Sequence, residues 1–306
     1  MPHQPSRITV IDTDPGIDDA VAILLALNSP EFDIRGITTV AGNIGIATTT
    51  RNAGRILVLA GRSDIPVIAG ANAPLSRKGF DTADIHGNDG LGGVSFPEPI
   101  AQPAGHDAVA WLAQLLDEEA AGTVDILALG PLTNVARLLT EHPTSASRIG
   151  RLIAMGGAIR EPGNIGLKAE FNIAADPEAA EIVFASGQPV TLIPLDVTRK
   201  VRADRAYLSA LRAAAKPAAT ISAELIDAYF QSTTGGESRP LHDPCVMLYA
   251  LQPDLFGCER FGLGVDTGNS GDAGALLFDT NAGEISVAMT VNSPAALDLL
   301  RKRLIA

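Results

Sequence analysis

Short apolar runs rich in Val and Ile alternate with Ala/Leu-rich stretches of helical period along most of this chain. The runs "RITVID" (7–12), "IRGITTVAG" (34–42), "IPVIAG" (65–70), "DILALG" (125–130), "RLIAMGG" (151–157) and "PVTLIPLDV" (189–197) read as buried strands. Between them, "DDAVAILLALNS" (18–29), "IATTTRNAGRILVLAG" (46–61), "HDAVAWLAQLLDEEA" (106–120), "LTNVARLLTEH" (132–142) and "DPEAAEIVFASG" (176–187) read as helices. A polar, Gly-rich loop over 71–105 delays the helix after Gly70, and 201–242 reads as helices plus a flexible loop, "QSTTGGESRP" (231–240). Strands apolar on both faces and joined by helical crossovers predict an α/β fold, a central, mostly parallel sheet flanked by helices. With no repeat, low-complexity segment or clear linker, residues 1–306 read as one large domain.

Sheets of this kind bind ligands beyond the carboxyl ends of their strands. Polar residues cluster there: Asp12 and Asp14 after the first run, Asn43 after the second, Thr133 after "LALGPL", and "GNIGLKAEFN" (163–172) after "AMGG". Asp12, Asp14, Asp18 and Asp19 crowd into eight residues beside a core, where like charges repel and burial is costly without a partner. A helix N-terminus accounts for Asp18 and Asp19 alone. Hard oxygen donors with no nearby Cys or His suit Ca²⁺ or Mg²⁺ and not zinc. Gly16 at the fifth position, with no closing Glu, does not fit an EF-hand, so any metal must draw on distant segments. Asp243 in "GGESRPLHDPCVM" (235–247) is one such candidate, and His242 beside it is a candidate general acid. His86 in "DIHGNDGLGG" (84–93) either lines a pocket or satisfies a turn, whereas His3, His106 and His142 suggest no role. Glu170 and Asn172, two apart, share a face on an extended segment and with Asn164 make a set suited to sugar hydroxyls.

Composition narrows the function. Hydrophobic residues at 46% against 19% charged describe a globular chain. A net charge of −12 without any Lys/Arg run argues against nucleic acid as a partner. The start does not read as a signal peptide, no 18-residue apolar stretch suggests a membrane span, and two cysteines suit a reducing compartment, so a cytoplasmic location is expected. There is no P-loop, H-E-x-x-H, G-x-S-x-G or C-x-x-C pattern. "VIDTD" mimics the D-x-D of haloacid-dehalogenase-like phosphatases, although Gly16 and the second "DD" pair have no explanation there.

"DTDPGIDDA", "VAGN" (40–43), "GPLTN" (130–134), "AMGG" (154–157), "EFNIAADPEAA" (170–180) and "HDP" (242–244) occur together and in order. In this the chain resembles the inosine-uridine nucleoside N-ribohydrolases, from about residue 7 to a last strand near 290. The resemblance implies hydrolysis of the N-glycosidic bond of purine or pyrimidine ribonucleosides, a role in nucleoside salvage, and a Ca²⁺-activated water; a non-catalytic nucleoside-binding protein is the other alternative. It places Ca²⁺ on Asp14, Asp19, Asp243 and the Thr133 carbonyl, with Asp14 as general base. It assigns ribose contacts to Asp18, Asn164, Glu170, Asn172 and Asp243, with Asn43 at the metal–ribose site. His242 is expected to assist departure of the base and His86 to lie near it, while Asp12 stands behind these residues. A homodimer or homotetramer is the family's habit. Base recognition is expected from loops 71–95 and 225–242, including Tyr229, Phe230 and Gln231, and Trp111 is expected to pack in the core.

Overall fold

The computed structural model describes residues 6–232, 236–269 and 271–306; His3 and the centre of the 231–240 loop therefore lie outside the described residues. The chain forms β1 (Arg7–Thr13), β2 (Phe32–Thr39), β3 (Val67–Ala69), β4 (Val124–Ala128), β5 (Ile149–Met155) and β6 (Val190–Ile193). A later excursion carries β7 (Arg202–Asp204) and β8 (Ser238–Pro240), and the chain then returns through β9 (Phe256–Val265), β10 (Leu276–Phe278) and β11 (Glu284–Val291). The main sheet has nine strands in the order β10-β9-β11-β6-β5-β4-β1-β2-β3, while β7 and β8 pair separately. From β11 to β3 every pairing is parallel; β9 and β10 add an antiparallel edge.

Alternate residues of the central strands feed two cores. Ile11, Leu127 and Ile153 face one, packed beneath helices Ile17–Leu27, Ile46–Leu59 and Pro244–Leu251. Val10, Ile126 and Leu152 face the other, beneath helices Ala108–Glu118, Thr133–Glu141 and Pro177–Ala185. Burial on both faces is why these strands read as continuous apolar runs. Trp111 packs against the second core, close enough to β2 that a Cβ on Gly36 would meet its ring at 2.5 Å. The expected core role of Trp111 is thus observed.

Two expectations need correction. The run 189–197 is a strand only to Ile193: Pro194 cannot donate to a ladder, and Leu195–Thr198 forms a short helix. There the Asp196 carboxylate accepts the N–H groups of Ile159 and Arg160, each at 2.8 Å. The loop 71–105 is not irregular throughout, since it holds a short helix, Ala83–His86.

The connectivity creates the site. From β1 the chain runs outward to β2 and β3, then re-enters on the opposite side of β1 at β4 and continues to β5 and β6. The order reverses between β1 and β4, so their carboxyl ends flank a crevice. At the other end of the sheet, the Asp125 carboxylate ties the strands together. It accepts Arg7 Nε at 2.6 Å, Arg7 Nη2 at 2.7 Å and Arg151 Nη2 at 2.6 Å.

Candidate active site

Asp14 leaves β1 at the crevice, and its carboxylate is walled by main chain. A Cβ on Gly42 or on Gly130 would strike its oxygens. Asp14 Oδ2 accepts the Asn43 N–H at 2.6 Å, whereas Oδ1, fully buried, has no partner among the described residues. Asp19 Oδ1 accepts Thr13 Oγ1–H at 2.5 Å; its Oδ2 accepts the Gly16 N–H at 2.9 Å and Asn43 Nδ2–H at 3.0 Å. Asn43 thus links Asp14 to Asp19. Asp18 accepts the backbone N–H groups of His242 and Asp243. That contact brings the start of helix Pro244–Leu251 onto the start of helix Ile17–Leu27.

Carboxylate oxygens of Asp18, Asp19 and Asp243 lie within 4.8 Å of one another, all buried. No Lys or Arg pairs with any of these three or with Asp14 among the described residues. Burial, and then the neighbouring Asp19, pushes Asp14 well above the usual carboxylate range. Burial and Asp18 do the same to Asp243, and burial with Asp19 raises Asp18 to about 7. Asp12 lies behind them, raised to about 6 by burial although Thr38 and Asn134 donate to its Oδ1 at 2.6 and 2.8 Å. Converging buried carboxylates with no cationic side chain, one oxygen orphaned, fit a hard cation. The expected metal set and this triplet share Asp19 and Asp243; Asp18 completes the triplet, and Asp14 reaches it through Asn43.

The extended segment expected for Glu170 and Asn172 is a helix start instead: on the opposite wall Glu170 opens helix Phe171–Ala175, whose first turn holds Asn172, and Glu170 Oε2 accepts the N–H groups of Gly157 and Asn172 at 3.0 Å. Asn172 Nδ2–H donates to the Leu129 and Met155 carbonyls at 2.6 and 3.2 Å, which fixes it across the ends of β4 and β5. Exposed Asn164 accepts the Phe171 N–H at 2.8 Å. His86 Nδ1 accepts the Ile17 N–H at 3.0 Å, so the proton of its neutral ring sits on Nε2. Burial lowers His86 to about 4. His242 Nδ1 lies 2.8 Å from Thr198 Oγ1, and burial followed by Arg199 and His86 lowers it to about 3. Tyr229 is close enough to Asp18 and Asp243 to feel their charge, while Phe230 is held between the guanidinium groups of Arg205 and Arg239 at 4.1 and 4.7 Å. Gln231 is exposed.

The family model described as inosine-uridine preferring nucleoside hydrolase matches residues 9–298. The chain belongs to this family. Pyrimidine-specific ribonucleoside hydrolase RihA of Photobacterium profundum is 42% identical over 98% of the chain and 99% of its own length. The RihA of Escherichia coli O17:K52:H18 is 43% identical over 96% and 97%. Among solved structures, a plant nucleoside hydrolase, PpNRh1, superposes with a TM-score of 0.93 at 33% identity, covering 99% of this chain and 100% of that one. A purine-preferring ribonucleoside hydrolase from Gardnerella vaginalis gives 0.92 at 29% identity, covering 98% of each. This nucleoside hydrolase is therefore an N-glycosyl hydrolase of ribonucleosides, and neither the phosphatase nor the binding-protein alternative is favoured.

Several residues that tie the hydrolase's site together had no role in the sequence reading. Asn134 Nδ2–H donates to Asp12 Oδ1 and, at 3.0 Å, to the Thr39 carbonyl, while its Oδ1 accepts the Ala71 N–H at 2.9 Å. Thr82 Oγ1–H donates to Asn43 Oδ1 at 3.0 Å. Asp176 accepts Thr133 Oγ1–H at 2.7 Å. Only Asp176 carried a local signal, an Asp directly before Pro at a helix start. No described helix is long and apolar enough to cross a membrane.

Proposed function

We propose that this hydrolase cleaves pyrimidine ribonucleosides to free base and ribose with a resident Ca²⁺. Asp14, Asp19, Asp243 and the Thr133 carbonyl would hold the ion. The observation that carries this reading is the group of buried carboxylates at the β1/β4 switch point, with no basic partner and with Asp14 Oδ1 unpaired. The pyrimidine preference rests on the relatives at 42 and 43% identity, which are named pyrimidine-specific.

Breaking the N-glycosidic bond builds positive charge on the ribose. Asp18, Glu170 and Asp243 surround that charge at low polarity, where fixed carboxylates stabilise it strongly. With Asn164 and Asn172 they hold the ribose hydroxyls, and Asn43 holds the Asp14 carboxylate so that Oδ1 faces the attacking water. Asp14 takes the proton of that water. When bound, the divalent ion neutralises the carboxylates and makes nearby water more acidic, less so than zinc would, which is why a separate base is needed. His242, neutral at pH 7 and positioned by Thr198, donates its ring N–H as negative charge develops on the departing base; His86 lines the pocket beside it.

The working protein is a homodimer or homotetramer, built from residues 1–306 as one domain, and cytoplasmic, in keeping with two free cysteines. Nucleic acid and membranes are not partners. Release of reducing sugar from uridine, cytidine, inosine, adenosine, guanosine and 2′-deoxyuridine tests the substrate. Uridine or cytidine should lead, and the deoxy compound should fail. Asp14→Asn should abolish turnover while uridine binding persists in calorimetry; undiminished turnover would remove Asp14 as the base.

A further inference from the structure

Asp176 stands at a junction that helix capping does not explain. Its Oδ1 accepts the Ala179 N–H at 3.1 Å and so caps helix Pro177–Ala185. A cap needs one oxygen. The second, Oδ2, accepts Thr133 Oγ1–H at 2.7 Å and the Leu75 N–H at 2.9 Å. One buried carboxylate thereby joins three separate segments: the turn after β4 that presents Thr133, the loop after β3, and the helix that continues from Glu170 and Asn172.

The same loop is fastened twice more. Arg77 pairs with Glu178, its Nε–H donating at 2.8 Å, on the helix that Asp176 caps. At its far end the Thr82 N–H donates to the Asn43 carbonyl at 3.1 Å and Thr82 Oγ1–H to Asn43 Oδ1. Asn43 in turn holds Asp14 and Asp19. Residues 72–81 are thus strung between Asp176 and the carboxylate cluster. Between loop and turn lies a cavity of about 270 Å³, lined by Gly42, Asn72, Phe80, Pro131 and Thr133.

We propose that Asp176 is a positioning residue for the hydrolytic site: its Oδ2 fixes Thr133 and the 72–81 loop against the carboxylates, and so sets affinity for the cation and for ribose. The part concerning the cation rests on the reading of Thr133 as an oxygen donor. A carboxylate that holds a donor in place typically contributes about 10- to 100-fold to metal affinity or activity.

Asp176→Ser separates the two tasks, because serine also caps helices but offers one oxygen on a shorter arm. Thr133→Val removes the hydroxyl and leaves the carbonyl. Both full-length variants are compared with wild type by Ca²⁺ titration calorimetry, by KM and kcat for uridine, by melting temperature, and by tryptic cleavage after Lys78. For Asp176→Ser we expect a near-native melting temperature, faster cleavage after Lys78, and Ca²⁺ affinity about 10- to 100-fold weaker, with KM raised more than kcat is lowered. Thr133→Val should reproduce the Ca²⁺ loss alone. Native Ca²⁺ affinity and native cleavage in a folded Asp176→Ser protein would overturn the proposal, as would native Ca²⁺ affinity in Thr133→Val. If wild type binds no Ca²⁺, the proposed function fails on its own, and cleavage after Lys78 still decides whether Asp176 holds the loop.

Discussion

Stripping the protein of metal should make its stability fall as pH rises from 7 to 8, and calcium should abolish that fall. Oxygens of Asp18, Asp19 and Asp243 lie within 4.8 Å, where two unit charges at an effective dielectric near 20 repel by about 3–4 kcal/mol. Metal-free, the cluster avoids this by keeping protons: Asp14 and Asp243 titrate well above the normal range. Their folded-state values are raised, so their contribution is full below the unfolded carboxylate value and is lost as pH climbs. The neutral histidines work in the opposite sense, since their lowered values add stability as pH rises, but only up to about 6.5, their unfolded value. Asp18 and Glu170 stop contributing at about 7. Above that, Asp14 and Asp243 each cost about 1.4 kcal/mol for every pH unit through which they hold a proton. For 306 residues the unfolding entropy is about 0.6 kcal/mol/K, so each protonated aspartate lowers the melting temperature by about 2 °C per pH unit. Calcium at about 1,000 times its Kd adds about 4 kcal/mol, or about 6 °C, and displaces the protons. Scanning calorimetry in chelator and in calcium at both pH values measures all of this, with Asp243→Asn expected to lose most of the calcium shift. A metal-free protein that gains stability between pH 7 and 8, or an Asp243→Asn protein with the full calcium shift, would refute the reasoning.

His242→Ala should lower kcat on uridine by about 10²–10³-fold yet barely slow a ribosyl nitrophenol, whose leaving group carries its own negative charge; equal losses would detach His242 from the departing base. Burial alone would raise Asp125, but hydrogen bonds from Arg7 and Arg151 hold it below the usual carboxylate range. Its stabilisation is therefore present above the unfolded value and lost as pH falls. Asp125→Asn should cost about 1–3 kcal/mol in urea unfolding at pH 7, with the gap to wild type closing below about pH 4. Gly130→Ala would drive a methyl group into the Asp14 carboxylate; we expect a loss of about 1–3 kcal/mol in stability and a fall in kcat beyond what the melting temperature explains.

The sheet was legible where burial is complete. Towards their carboxyl ends β1, β4 and β5 bury both faces, so apolar residues follow one another there, as in Val10–Ile11, 126–128 and 152–155, and the charges beyond them stand out. β9 was not, because its residues 257–260 lie outside its pairing with β10 and are all exposed, and "FGCERFGLGV" carries no continuous apolar signal. Pro194 marked the end of its strand, yet the Val-rich context of 189–197 concealed the short helix that follows. Within the site, the aspartates and Glu170 announced themselves by charge beside apolar runs. The structure groups Asp18 with Asp19 and Asp243, a proximity that depends on two helix starts meeting and has no trace in residue spacing. The connectors Asn134 and Thr82 were silent for the same reason, and Asp176 signalled only a helix cap: each acts between segments far apart in the chain.

The slot that holds Asp14 is made of peptide backbone on two sides, at Gly42 and Gly130. Walls of that kind have no rotamers, so they can neither yield to a differently shaped sugar nor be trimmed by a smaller residue. If Asp14 works at the ribose as proposed, attempts to retune this protein will find that end nearly inelastic.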